Sequence, residues 1–154
     1  MTHYAGIAEL TAALGSEPET SDWMVVDQKR IDDFAEATGD NQWIHVDPER
    51  AANGPFGTTI AHGFLTLSLI SHLLFGITTL EGSPMVINYG LDKVRFLGVV
   101  PVGSRVRAHV RLTAVAPAAQ GIRVSSTVTM EIEGVEKPAL VAESIALFVL
   151  ESVE

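Results

Sequence analysis

The chain has no cysteine, so it can build neither a disulfide framework nor a thiolate metal site. Basic side chains are scarce. Ten Lys and Arg stand against 19 Asp and Glu, a net charge of −9, which disfavours a nucleic-acid partner. Long hydrophobic runs are missing as well. The most apolar stretch, Gly63 to Ile77, is interrupted by Thr66, Ser68, Ser71 and His72, too short and too polar to cross a bilayer. No basic residue precedes Lys29 and no unbroken apolar segment follows the first methionine, which argues against a signal peptide. A cytoplasmic chain with no membrane partner is therefore expected. There is no G-x-S-x-G for a serine nucleophile and no H-E-x-x-H for zinc. His62 and His72 would face different sides of a helix, so no metal is expected.

The 154 residues suffice for one domain with a substantial core, and 47% hydrophobic against 19% charged is a globular balance. No repeat or low-complexity segment divides them, so residues 1–154 read as a single domain. Residues 7–14 suggest a short helix closed by Gly15, followed by a polar linker through Asp22. Residues 23–27 read as a strand. Asp27 can cap a helix carrying Ile31, Phe34 and Ala35 at i, i+3, i+4, ended by Gly39. Asp40 to Asp47 is then a loop, and Pro48 to Ala52 a second short helix.

The Leu-rich segment at about 62–77 is too long for a strand and reads as a buried helix. Strict alternation at 105–113 and 122–132 marks two strands, and Ala139 to Leu150, apolar on both faces, a central one. Turns are expected at Pro101–Gly103, Pro117–Gly121 and Gly134–Pro138. A long apolar helix followed by antiparallel strands predicts an α+β chain whose sheet wraps that helix, the hot-dog arrangement.

Charge is unevenly spread. Residues 1–50 hold 11 acids against 3 bases, whereas Lys93 to Met130 holds Lys93, Arg95, Arg105, Arg107, Arg111 and Arg123 and no acid. Either these are solvent-facing strand positions, or they form a local basic face for a small anionic ligand.

Two segments could carry chemistry. In the first, residues 37–51, Asp40 and His45 lie five apart in a loop and can converge on one water, one group accepting its proton while the other orients or supplies one. The spacing alone fits a capping Asp beside a surface His better than a catalytic pair. In the second, residues 57–74, the helix begins at His62–Gly63. Its free N–H groups can hold a developing oxyanion, and glycine lets a substrate carbonyl approach. Tight packing alone would also explain Gly63.

Taken together these segments resemble the MaoC-like dehydratases, which include the (R)-specific (type 2) enoyl-CoA hydratases. The family pattern of an aromatic, T-G-D-x-N-P-[LIV]-H-x-D and a later Ala has its counterpart in Phe34, Thr38 to Asp47 and Ala51. Ile60-Ala61-His62-Gly63-Phe64-Leu65 matches I-x-H-G-[MF]-L. Residues 39–51, 54–64 and 88–96 further resemble the actinobacterial hydratase 1 and nodulation-protein-N-like subgroup. One departure stands out: Gln42-Trp43 replaces the usual Asn-Pro, and Trp43 is bulky enough to reshape an acyl pocket.

The resemblance implies reversible hydration of trans-2-enoyl-CoA to (3R)-hydroxyacyl-CoA. Asp40 and His45 would be catalytic, and the Gly63 N–H would polarise the thioester. Asn41, His62 and Ser71 would support the site. Coenzyme A would arrive as part of the substrate, with no separate cofactor, and Lys93 and Arg95 are the candidates for its phosphates. A homodimer is implied. The alternatives are a 3-hydroxyacyl dehydratase acting on acyl-carrier-protein thioesters and an acyl-thioester-binding protein without turnover.

Overall fold

The computed structural model describes residues 2–75 and 77–150. Strand β1 (Thr2–Tyr4) leads into helix α1 (Ile7–Ala12), and two short strands follow, β2 (Glu19–Thr20) and β3 (Met24–Val25). Helix α2 (Gln28–Thr38) has the expected ends. The Asp27 side chain accepts from the Arg30 N–H, and Gly39 takes the left-handed conformation (φ 77°) that closes the last turn. Next come α3 (Trp43–Val46), α4 (Pro48–Ala52) and the central helix α5 (Gly63–Phe75). Strands β4 (Thr78–Leu80), β5 (Met85–Phe96), β6 (Arg105–Ala118), β7 (Gly121–Ile132) and β8 (Val135–Val149) complete the described chain.

The main sheet runs β2-β6-β7-β8-β5, with β3 also on β6, and all its pairings are antiparallel. One face of β6 and β7 buries Val106, Ala108, Val110, Val128 and Met130 against Leu65, Leu69, Ile70 and Leu73 of α5. This is the expected sheet wrapped on an apolar helix. A second cluster, Tyr4, Leu10, Leu80, Leu112, Ile122, Val124 and Phe148, is closed by α1 and the parallel β1–β4 pair. No helix among the described residues is long and apolar enough to cross a membrane.

The central helix, Gly63–Phe75, is the one expected at about 62–77. Several other expectations need correction. Residues 40–47 are not all loop, because Trp43 to Val46 closes one helical turn, with the Asp47 N–H on the Trp43 carbonyl at 3.1 Å. The linker before Asp22 contains β2, which exists only by pairing with Val110 and His109 of β6. Residues 23–27 keep just two strand residues. Strand β6 continues past Thr113 because a bulge between Leu112 and Ala114 shifts its register and breaks the alternation. Pro117 and Pro138 lie within strands, so the turns are tighter than their proline context suggested.

Strand β5 is different in kind. Among the described residues it pairs only with β8, so one edge is open there, and Met85, Val86, Ile87, Tyr89 and Leu91 on it are exposed. Phe64 and Phe75 at the ends of α5 are 68% and 80% exposed. Exposed apolar area of this kind beside an unpaired edge is what proteins commonly cover by association.

Candidate active site

Three segments meet at the head of α5. The first is the loop after Gly39, carrying Asp40. The second is the single turn of α3, which buries His45. The third is the run 59–62 entering α5, pinned on two sides. The Ile60 N–H donates to the Ile44 carbonyl at 3.0 Å, and the Ala61 N–H to the Val100 carbonyl at 2.8 Å. Gln28 braces the arrangement: its amide donates to the His45 carbonyl at 2.7 Å and its carbonyl accepts from the Thr59 hydroxyl at 2.5 Å.

This scaffold brings one side-chain donor atom from each of Asp40, His45 and His62 within 4.8 Å of one another. Hydrogen bonds fix the imidazoles. His45 Nδ1 donates to the Ile60 carbonyl at 2.7 Å, which leaves Nε2 as an acceptor. His62 Nε2 donates to the Asp40 backbone carbonyl at 2.9 Å, leaving Nδ1 buried and without a partner. The rings stack at 3.8 Å between centroids, and the tilted Phe34 ring packs on His62 at 5.0 Å. Burial holds the proton affinity of His45 below the ordinary imidazole value, reinforced by His62 and opposed by the Ile60 hydrogen bond and Asp40. His45 is therefore a neutral acceptor at neutral pH. A water at about 2.8 Å from each of two groups bridges donors up to about 5.5 Å apart, so this gap suits one water.

Gly63 opens α5 directly after His62. Its N–H has no hydrogen-bond partner among the described residues. A Cβ at this position would lie 3.1 Å from the Phe96 ring, so any larger residue would have to push that ring aside. Asn41 is exposed in the same loop as Asp40. Ser71 stands apart, about 12 Å further along the helix axis, where its hydroxyl accepts from the Asn88 amide at 3.0 Å. There Ser71 and Asn88 line a cavity of about 480 Å³ whose apolar wall includes Leu74, Val110, Leu112, Val124, Ala146 and Phe148. Trp43 does not line it. Its ring lies against Gly54 and under the Arg50 guanidinium, 4.4 Å away, so the Asn-Pro replacement reshapes the outside of the loop rather than this cavity.

The basic face is smaller than the sequence implied. Arg107 is paired with Glu131 at 2.6 Å, Arg105 with Glu133, and Lys93 with Glu143 at 3.0 Å. Glu131 on β7 and Glu133 in the turn after it lie just outside the acid-free window, and Glu143 is on β8. Lys93 has φ 47° in a bulge between Asp92 and Arg95, and Arg95 precedes the Phe96 that covers Gly63.

Residues 9–133 match the model of the MaoC like domain. The chain belongs to the MaoC-like dehydratase family. It is 52% identical to the 3-hydroxyacyl-thioester dehydratase Z of Mycobacterium tuberculosis, over 97% of this chain and 99% of that protein. It is 47% identical to nodulation protein N of Rhizobium leguminosarum bv. viciae, over 94% and 92% of the two chains. In structure it is similar to an unliganded R-hydratase from Pseudomonas aeruginosa, with a TM-score of 0.75, 21% identity and coverage of 96% and 88%, which establishes the hot-dog fold. This MaoC-like chain is thus a hydro-lyase of the family that hydrates and dehydrates acyl thioesters.

The motif residues Asp40, His45 and Gly63 were legible in the sequence. Gln28 and Thr59 were not, because a lone glutamine at a helix start and a lone threonine carry no signal until the fold joins them.

Proposed function

We propose that the chain, as one hot-dog domain paired with a second copy, reversibly hydrates trans-2-enoyl-CoA to (3R)-hydroxyacyl-CoA. Asp40 and His45 hold the water. As its oxygen bonds to C3, the pair takes one proton from it and delivers one to C2. Between those events the negative charge rests on the thioester oxygen, where the free Gly63 N–H at a helix N-terminus stabilises it. His62 keeps His45 in register by stacking, and Asn41 lies in the loop that carries Asp40. No cofactor takes part, since coenzyme A belongs to the substrate.

The observation that carries this reading is the convergence of the Asp40 and His45 side chains with His62, the residue directly before the unpartnered N–H of Gly63. The cavity behind Ser71 and Asn88 supports it by offering an apolar wall for an acyl chain. Arg95 and Lys93, on the strand that carries Phe96 to Gly63, suit the coenzyme A phosphates. The open β5 edge supports the homodimer.

The test is hydration of crotonyl-CoA and octenoyl-CoA with chiral analysis of the product. Loss of the enoyl absorbance with (3R) product is expected. Saturable binding without turnover would replace this reading with a thioester-binding role, and turnover confined to carrier-protein thioesters would replace the coenzyme A assignment.

A further inference from the structure

A cavity built for a plain alkyl chain has no use for hydroxyl groups in its wall, and the cavity behind Ser71 carries a pair of them. One face of β7 buries Ile122, Val124, Ser126, Val128, Met130 and Ile132, and Ser126 is the polar member of that row. In the sheet register Ser126 pairs with Ser144 of β8, and both line the cavity. We propose that the Ser126–Ser144 pair recognises an uncharged oxygen, a hydroxyl or a keto group, carried on the acyl chain of the substrate. The inference deepens the hydratase reading above and takes from it that the acyl chain occupies this cavity.

Ser126 is only 8% exposed, yet its hydroxyl makes no hydrogen bond among the described residues, and neither does that of Ser144. Ser71 differs: at the exposed rim its hydroxyl already accepts from the Asn88 amide at 3.0 Å. A buried hydroxyl without a partner costs free energy, which a ligand oxygen at hydrogen-bond distance recovers. Packing gives no reason for the pair, because alanine would fill nearly the same space with no hydroxyl to desolvate. The surrounding wall of Val110, Leu112, Val124 and Ala146 offers no competing side-chain donor or acceptor.

The same lining decides the class of group. Among the described residues no charged side chain lines the cavity, so a carboxylate or an ammonium group would be buried unpaired. A serine hydroxyl both donates and accepts, which matches a hydroxyl or a keto oxygen equally. An apolar pocket merely tolerates an added hydroxyl, whereas a pocket built to bond it discriminates against the chain that lacks it. The sign of the preference therefore separates the two cases.

The experiment uses the full chain. Hydration of octenoyl-CoA is compared with hydration of its ω-hydroxy and (ω−1)-hydroxy counterparts. The saturated forms of all three, which cannot react, are compared in calorimetric binding. At least one hydroxy chain should exceed octenoyl-CoA in kcat/KM by about tenfold or more. Ser126→Ala, checked for fold by circular dichroism, should abolish that ratio, and Ser125→Ala, next to it on the other face of β7, should keep it. Equal or better turnover of octenoyl-CoA than of both hydroxy chains overturns the proposal, as does a preference that survives in Ser126→Ala. If no enoyl thioester is hydrated, tighter binding of a hydroxy chain that is lost in Ser126→Ala upholds the site and rejects the hydratase reading. Equal binding of all three saturated chains in that case rejects both.

Discussion

The imidazoles of His45 and His62 stack with 3.8 Å between centroids, although one ring comes from a single helical turn and the other from the entrance of the central helix. Each ring donates to a backbone carbonyl of the other's neighbourhood, His45 to Ile60 and His62 to Asp40. The loop bearing the carboxylate is thereby tied to the helix head bearing the free N–H. Geometry at Asp40, His45 and Gly63 is set as one unit.

Gly63→Ala tests the helix head. The added methyl would press on Phe96 at 3.1 Å, and in the proposed mechanism it would stand where the thioester approaches. A stability loss of about 1–3 kcal/mol is expected from overpacking, and a fall in kcat of about 10²-fold from misplacing the thioester. Adding Phe96→Ala should recover part of the stability by thermal unfolding and none of the rate. Recovery of the rate would assign Gly63 to packing alone.

The motif and the long elements were readable because their signals are local. Asp27 and Gly39 bracket α2, and alternation marks β6 and β7. Strands β1, β2 and β4 have two or three residues each and are strands only through their partners, so no periodicity could reveal them, and the strand read at 23–27 kept only the two residues of β3. The same holds for the site. Asp40 and His45 share one motif, whereas the stacking of His62 on His45, the Gln28 brace and the position of Trp43 outside the cavity depend on how distant segments meet. The acid-free window misled for the same reason: Glu131 stands opposite Arg107 in the sheet while lying far from it along the chain.

Ile87→Lys tests the β5 edge. Ile87 is exposed on the strand whose outer side is unpaired. A charge there should oppose edge-to-edge pairing. Light scattering should find a dimer for the wild type and a monomer for the variant. A dimeric variant would place the interface elsewhere.

Ala146→Leu tests the cavity. The larger side chain projects into the space behind Ser71. Displacing two methylenes of substrate at about 0.8 kcal/mol each should lower kcat/KM for octenoyl-CoA about tenfold and leave crotonyl-CoA unchanged. An equal loss on both substrates would separate this cavity from the acyl chain.

Glu131→Gln tests the outer face. Hydrogen bonds from Arg107 and then His109 hold the Glu131 carboxyl below its free value. Its folded-state value is depressed, so the stabilisation is complete above the free value of about 4.3 and is lost as pH falls through the folded value. The pairs are about a third exposed, so the variant should be less stable by about 1 kcal/mol or less at pH 7. Denaturant melts should show that difference closing toward pH 3. A difference constant with pH would mean that charge is not its source.

The central claim is that Asp40 and His45 activate one water, and steady-state hydration of crotonyl-CoA by Asp40→Asn and His45→Gln tests it most directly. Each variant should keep the wild-type fold by circular dichroism while kcat falls by about 10²-fold or more. Wild-type turnover by either variant would contradict the account.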